Sequence, residues 1–302
     1  RVIEAAQAAL AGGRLGYTEA RGLPVLRTAI AAHYRDTYGV DVPDGHILAT
    51  TGSSAGFNLA FLAAFDPGDR IAIAAPGYPA YRNILKALGI IPVEIEVGAD
   101  TRWALTPELL EAAHREAPLK GVLVASPANP TGTMMTPDAL KALVSACDDM
   151  GLWFLSDEIY HGLVFNGRQE TALAYSDKAI ILNSFSKYYC MTGWRIGWMI
   201  GPADLIKAAG NLQSHATSNV ANVSQRAALA AVSGDLTAVE EMRASFDRRR
   251  RTMTDMLRAI EGRDTAVAAA RRLEGLCIEA GFQEAVREVS LGIRAGADMG
   301  PD

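Results

Sequence analysis

The stretch Ser184-Phe-Ser-Lys-Tyr-Tyr-Cys-Met-Thr-Gly-Trp-Arg195 is the most informative in this chain, because it places a lysine in the loop that follows a strand. The strand is the apolar run Ala179-Ile-Ile-Leu-Asn183, which is bounded by polar residues. Lys187 therefore lies in the loop beyond a buried strand, where α/β proteins place their chemistry. An amine close in sequence to hydroxyls and to Arg195 suits a phosphate-bearing aldehyde cofactor. The alternative is a surface lysine in a polar turn, and the rest of the chain must decide between the two.

The bulk composition excludes several classes of protein. The chain has 302 residues, 49% of them hydrophobic, and its mean hydropathy is +0.08. These values predict one large α/β domain with a smaller appendage. No apolar run approaches the roughly 18 residues that span a membrane, and the N-terminal Arg1-Val-Ile-Glu4 lacks a signal-peptide pattern. A net charge of −5 indicates neither a nucleic-acid nor a membrane partner.

The cysteines indicate a reducing compartment. Cys147, Cys190 and Cys277 are odd in number and far apart in the sequence. This spacing argues against a disulfide framework and against a zinc site. We expect free thiols and a cytoplasmic location.

Strand and helix patterns alternate through residue 200, which predicts a mostly parallel sheet covered by helices. One predicted strand begins at Ile47. The others cover 70–75, 90–95, 121–125, 152–156, 179–183 and 196–200. A small-residue turn, Gly52–Gly56, is expected to precede a helix at 57–65. Beyond Pro202 the pattern is helical, with helices predicted at 204–214, 221–232 and 235–260.

Polar and aromatic residues follow these strands. Because the carboxyl ends of the strands in an open α/β sheet converge on one crevice, these groups are expected to meet there. They are Ser53 and Ser54, Tyr78, Asn129, Asp157 and Tyr160, and the group Ser184, Lys187 and Arg195. An acid such as Asp157 in apolar surroundings is either paired or takes part in chemistry, because burying it alone is costly.

Five blocks of sequence occur in an order that is typical of one family. They are Tyr17-Thr-Glu-Ala-Arg-Gly-Leu-Pro24, Pro76-Gly-Tyr-Pro79, Asn129-Pro-Thr-Gly132, Asp157-Glu-Ile-Tyr160 and Ser184-x-Ser-Lys-x7-Arg195. Through about residue 260 the chain closely resembles the fold-type I pyridoxal-phosphate enzymes, specifically the class I/II aminotransferases of the aspartate aminotransferase superfamily. The resemblance implies an α/β fold whose sheet is of the pyridoxal-phosphate-dependent transferase type.

The resemblance also implies a role for each site residue. Lys187 would form the internal Schiff base with pyridoxal 5'-phosphate and then carry protons between substrate and cofactor. Asp157 would pair with the pyridine nitrogen, while Tyr160 and Asn129 would bind the 3' oxygen. Tyr78 would stack on the ring. The phosphate would be held by Ser53, Ser54, Ser184 and Arg195, and by Tyr17 of a neighbouring subunit, which implies a homodimer with shared active sites.

The C-terminal part departs from the family pattern. It lacks a clear Arg-x-Ser motif, whose arginine would bind the substrate carboxylate, and it predicts a reduced or atypical helical segment. We expect a large cofactor-binding domain at 1–234, followed at 235–302 by a long connecting helix and an atypical or truncated remnant of the small domain. Amphipathic periodicity around 285–291 predicts one or two helices. Arg294 is a candidate for the missing arginine, although a surface helix is the favoured interpretation.

Three functions remain open at this stage. The leading one is an aminotransferase that transfers an amino group between an amino acid and a 2-oxo acid, with a neutral or aromatic donor favoured. The second is a C–S β-lyase or another eliminating enzyme of the same fold. The third is a cofactor-binding domain without catalysis, which the atypical C-terminus motivates. A nucleotide-binding module is excluded, because the turn Gly52–Gly56 lacks a Gly-Lys-Ser/Thr ending.

Overall fold

The computed structural model describes residues 1–13 and 15–258. Within them, one seven-stranded sheet is surrounded by helices. The strands are β1 (Ile47–Thr50), β2 (Arg70–Ala75), β3 (Ile91–Glu96), β4 (Gly121–Ala125), β5 (Trp153–Asp157), β6 (Ile180–Ser184) and β7 (Gly197–Ile200). The helices are α1 (Val2–Ala11), α2 (Pro24–Tyr38), α3 (Ser53–Ala64), α4 (Pro79–Ala87), α5 (Pro107–Glu116), α6 (Pro137–Met150), α7 (Ala203–Ala216), α8 (Asn222–Val232) and α9 (Thr237–Arg258).

The sheet is mostly parallel, as the sequence predicts. Its strand order is β1-β7-β6-β5-β4-β2-β3. The strands β3, β2, β4, β5 and β6 are parallel neighbours, whereas β7 runs antiparallel to both β6 and β1. The carboxyl ends of the parallel strands therefore lie at one edge, and the start of β7 lies there with them.

Each face of the sheet has its own hydrophobic core. Successive side chains of a strand point to opposite faces, so Ile180 and Leu182 of β6 pack in one cluster while Ile181 packs in the other. All three are fully buried. Because both faces are covered, the strands read as continuous apolar runs, and this pattern made them recognisable in the sequence.

Helix ends follow the turn chemistry of the sequence. Pro24 occupies the first turn of α2, and Gly39 ends that helix in the left-handed conformation with φ 72°. The hydroxyl of Thr106 accepts a hydrogen bond from the Leu109 amide at the start of α5. Thr136 caps α6 in the same way. These caps fix where the connecting loops leave the sheet.

Several element boundaries differ from the sequence prediction, most of them by one or two residues. The strand β3 begins one residue later than expected, at Ile91, and α3 begins at Ser53 instead of residue 57. Gly52, with φ 82°, lets the chain turn from β1 directly into the helix. Small residues follow because α3 packs tightly on the sheet, where a Cβ at Gly56 would lie 3.0 Å from Leu182 Cδ1. The small-residue run thus forms the first turn of α3, with Gly56 packed on the sheet, and the expected loop there was wrong.

The chain divides into two compact units. The first ends at Val239, and the described part of the second, residues 240–258, is helical. The sequence-based division at 234/235 remains a prediction. Its amphipathic tail at 285–291, Arg294 and Cys277 lie outside the described residues. Among the helices that are described, none is long and apolar enough to cross a membrane.

Candidate active site

A cavity of about 170 Å³ opens where the parallel strands end. We call it the active-site cavity. It is lined by Ser53, Ser54, Phe57, Tyr78, Tyr81, Asn129, Asp157, Ile159, Tyr160, Ser186, Lys187, Thr192 and Arg195. Eight of the ten residues that the sequence singles out are in this lining, so the structure brings most of the predicted set together.

The reversed direction of β7 explains why Arg195 reaches this cavity. Thr50 at the end of β1 pairs with Gly197 at the start of β7, so the residues before β7 lie beside the start of α3. The packing is close: a Cβ added to Gly52 would lie 2.6 Å from Arg195 Nη2. The guanidinium is oriented by a 2.9 Å hydrogen bond from Nη1 to the carbonyl oxygen of Thr192.

This part of the cavity is suited to bind an anion. The first turn of α3 has no side-chain cap, so its amide groups and the positive end of the helix dipole face the region of Ser53 and Ser54. Arg195 adds a full positive charge with paired donors. A glycine beside the guanidinium, small hydroxyls and a helix N-terminus together form a phosphate-type cradle.

Asp157 provides a buried carboxyl in the same cavity. Its side chain accepts hydrogen bonds from the Tyr81 phenol and, at 3.1 Å, from the amide of Ile159. Burial raises the pKa of Asp157 to about 6, against the opposing effects of these two bonds and of the Lys187 charge. The group is thus held in a fixed orientation at the end of β5.

Tyr160, Asn129 and Lys187 form the third part of the cavity. Asn129 Nδ2 donates to the Tyr160 hydroxyl at 3.4 Å, and Lys187 Nζ lies 5.9 Å from the centre of the Tyr160 ring. Burial and the nearby Asp157 raise the pKa of Tyr160, and the bond from Asn129 partly offsets this. Tyr78 stands half-exposed at the rim, edge-on to Tyr81 with ring centres 5.3 Å apart.

Two predicted residues do not line the cavity. Ser184 is buried beneath it, with Oγ 2.9 Å from Ser186 Oγ and 3.0 Å from the Ile196 carbonyl oxygen. Its neighbour Ser186 reaches the cavity instead. Tyr17 is 89% exposed and lines a separate surface cavity of about 350 Å³. The roles predicted for Ser184 and Tyr17 therefore stay predictions.

The sequence interpretation also missed residues that the cavity contains. Tyr81 is the main one, because it bonds directly to Asp157. It lies three residues after Tyr78, on the first turn of α4 that Pro79 opens. Residues three apart at a helix start lie on the same side of the helix, so this spacing was the available signal. Phe57, Ile159 and Thr192 carry no such signal.

The donor set fits a phosphate-bearing aromatic aldehyde with a ring nitrogen. The anion cradle matches a phosphate, the Lys187 amine matches an aldehyde, and the Asp157 carboxyl matches a protonated ring nitrogen. Among the described residues, no group of three or more His, Cys, Asp or Glu side chains is placed to hold a metal ion.

Comparison with known proteins gives consistent matches. The family described as aminotransferase class I and II matches residues 1–271. A valine–pyruvate aminotransferase of Mycobacterium tuberculosis is 49% identical over 259 residues, which cover 85% of this chain and 66% of that relative. An aspartate aminotransferase of Streptomyces avermitilis is 45% identical over 251 residues, covering 82% and 61% respectively. The crystal structure of an aminotransferase from M. tuberculosis has a TM-score of 0.82 at 48% identity, covering 85% of this chain and 67% of that one.

The chain spans less than two thirds of the length of these two curated relatives. The matched part contains the whole of the described sheet and every residue of the active-site cavity.

Proposed function

Because this chain belongs to the class I and II aminotransferase family, we propose that it transfers an amino group between an amino acid and a 2-oxo acid, with pyridoxal 5'-phosphate in the active-site cavity. One observation carries the proposal. A single cavity contains an amine at Lys187, an anion cradle at Arg195 and α3, and a buried carboxyl at Asp157. When bound, pyridoxal phosphate supplies an aldehyde for a covalent link and an aromatic ring that withdraws electrons from the substrate α-carbon.

The protein holds the phosphate with rigid donors. Ser53, Ser54 and Ser186 present hydroxyls to the cradle, and Arg195 contributes bidentate donors. We assign Ser184 the role of orienting Ser186, which is supported by the 2.9 Å contact between their hydroxyl oxygens. The helix dipole of α3 adds to the same anion-binding site.

The remaining residues control protons. Lys187 Nζ takes the proton from the substrate α-carbon and returns it during transfer, which requires the neutral amine. Asp157 would hold a proton at the ring nitrogen of the bound cofactor, and Tyr81 keeps the carboxyl oriented for that task. Tyr160 and Asn129 would donate to the ring oxygen, and Tyr78 would cover the ring face.

We further propose a neutral amino acid as the donor. Lys187 and Arg195 are the cationic side chains among the described residues that line the cavity, and both have cofactor roles. No further cation lies in that lining for any substrate carboxylate, so the choice of donor rests on similarity to known proteins. The name of the valine–pyruvate relative supports this choice, whereas the name of the aspartate relative does not.

We also propose that the chain acts as a homodimer in the cytoplasm. Tyr17, Leu10 and Leu15 are exposed around the surface cavity, which suits contact with a second copy. Cys147 and Cys190 are free thiols, which supports a reducing compartment.

The test combines turnover with chemical mapping. The purified chain, loaded with pyridoxal phosphate, should form alanine from valine and pyruvate, and should do so faster than from aspartate and pyruvate. Borohydride should fix the cofactor to Lys187, as mapped by peptide mass spectrometry, and Lys187→Ala should abolish both signals. A label on another lysine, or no label, would overturn the cofactor assignment. Release of ammonia and a 2-oxo acid without an acceptor would indicate an eliminating enzyme.

A further inference from the structure

Glu158 is a buried acid next to Asp157 that the proposed chemistry does not use. It is 1% exposed and does not line the active-site cavity. Its Oε1 accepts three hydrogen bonds, from Ser156 Oγ at 3.2 Å, Thr171 Oγ1 at 2.8 Å and the Ala172 amide at 3.1 Å. One carboxylate oxygen thus joins β5 to the short 3-10 helix Ala172–Ala174.

The second oxygen of Glu158 reaches α2. Tyr34, fully buried, donates its hydroxyl to Oε2 at 3.3 Å and accepts a bond from Trp198 Nε1 at 3.2 Å. Because Trp198 lies on β7, the Tyr34–Trp198 pair also connects the Glu158 carboxylate to that strand. The backbone of Glu158 is also fixed, since its amide donates to the Leu182 carbonyl at 2.8 Å.

His161 extends this network of buried hydrogen bonds to the loop that carries Asn129. Its Nε2 lies 3.0 Å from the carbonyl oxygen of Ser126, which can only accept, so Nε2 carries the proton. Burial lowers the pKa of His161 to about 4, so the ring is neutral and Nδ1 accepts from the Tyr38 hydroxyl at 2.7 Å. The 3.6 Å approach of Nδ1 to Glu158 is therefore not an ion pair at neutral pH.

The backbone around these two residues carries Asp157 and Tyr160, whose side chains line the active-site cavity. The His161 amide donates to the Glu158 carbonyl at 3.0 Å, and this closes the turn on which Tyr160 lies. The Ser126 amide donates to the Asp157 carbonyl at 3.3 Å. The backbone of residues 157–161 is thus fixed by bonds to the neighbouring strands, and the side chains of Glu158 and His161, which do not line the cavity, anchor it further.

We propose that Glu158 is a positioning residue, whose carboxylate holds the turn 157–161 and thereby directs Asp157 and Tyr160 into the active-site cavity. The cofactor part of this proposal rests on the proposed function. The acceptor oxygen Oε1 has the main role, because it satisfies three buried donors whose loss of a partner would be costly.

The test compares three variants with the wild-type chain. Glu158→Leu removes both acceptor oxygens, whereas Glu158→Gln keeps an amide oxygen for the three donors at Oε1. Leu110→Ala is the matched control, because Leu110 is fully buried on α5, whose residues do not line the cavity. Two quantities are measured: hydrogen–deuterium exchange of residues 157–163 without cofactor, and the Kd and visible circular dichroism of bound pyridoxal phosphate.

We expect Glu158→Leu to speed exchange of this segment and weaken cofactor binding by at least about ten-fold each, because several buried donors lose their acceptor, and to reduce the dichroism. Glu158→Gln should restore both to near wild type, and Leu110→Ala should leave them unchanged. If Glu158→Leu does not fold, Thr171→Val, which removes one donor, should give a smaller shift in the same direction.

Two results would overturn the proposal. One is faster exchange with unchanged Kd and dichroism, which would give Glu158 only a structural role. The other is a Glu158→Gln variant as impaired as Glu158→Leu, which would mean that charge, not the acceptor oxygen, matters. Absence of cofactor binding by the wild-type chain would count against the proposed function instead, and the exchange measurement would still show whether Glu158 holds the turn.

Discussion

At the scale of single residues, Asp157 shows how a binding site costs stability. The carboxyl is 3% exposed, and burial raises its pKa from 3.8 to about 6. A carboxyl whose pKa is higher in the folded than in the unfolded state contributes stability that is complete below about pH 4. That contribution is lost as the pH rises through about 6. Because burial outweighs the bonds from Tyr81 and Ile159 and the Lys187 charge, the ionised form of Asp157 costs stability at neutral pH.

We predict that Asp157→Asn makes the cofactor-free protein more stable than wild type at pH 8 and not at pH 3.5. The amide keeps an oxygen as acceptor for Tyr81 or Ile159 while removing the charge. A shift of two pKa units corresponds to a gain of about 2–3 kcal/mol. Urea unfolding at both pH values measures the free-energy difference between the variant and the wild type. The raised pKa of Glu158 affects both proteins in the same direction and therefore does not produce this difference. Equal free-energy differences at the two pH values would contradict the prediction.

At the scale of secondary-structure elements, the end of α2 depends on one backbone conformation. Gly39 has φ 72°, and its amide donates to the Arg35 carbonyl at 2.9 Å. A Cβ at this position would contact no atom within 4 Å. A substitution there changes only the cost of the left-handed conformation.

We expect Gly39→Ala to destabilise the chain by about 1 kcal/mol. Gly45→Ala is the control, because a Cβ at Gly45 also meets no atom within 4 Å and its φ is not positive. It should leave the free energy of unfolding unchanged within about 0.5 kcal/mol. Chemical denaturation monitored by far-ultraviolet circular dichroism distinguishes the two, and equal losses would show that the cap conformation is unimportant.

Elements with strong local signals were predictable from the sequence. The apolar runs of β4 and β6 are buried on both faces, and the Thr-Pro starts of α5 and α6 are genuine caps. The start of α3 was not predictable in this way. Its serine and glycine residues have low helix propensity; Gly56 is explained by close packing against β6, while Ser53 and Ser54 line the active-site cavity.

The active-site residues likewise divide into those with a local sequence signal and those without one. Asn129, Asp157 and Lys187 could be predicted from the sequence, because each follows a recognisable strand pattern. Tyr81 and Ser186 were not assigned, because which of two nearby tyrosines or serines faces the cavity depends on side-chain direction, which the sequence does not specify.

At the scale of the whole molecule, the exposed apolar residues near the N-terminus predict self-association. Leu10 is 55% exposed and Leu15 is 44% exposed beside Tyr17. We expect a dimer in analytical ultracentrifugation and at least ten-fold weaker association for Leu10→Asp, because burying an unpaired charge in an interface is costly. Ile91→Asp is the control, since Ile91 is 43% exposed on the edge strand β3. A monomeric wild-type chain, or equal weakening by both variants, would contradict the interface.

The position of β1 in the sheet affects how the chain can fold during synthesis. Ile47 pairs with Ile200, so β1 has its sheet neighbour about 150 residues further along the chain. A ribosome adding 5–20 residues per second needs roughly 8–30 s to reach that neighbour. Until then neither edge of the buried strand Ile47–Thr50 is paired in the sheet on the nascent chain. The interval makes this strand the segment that a chaperone would have to shield, and slowing translation should lengthen its exposure.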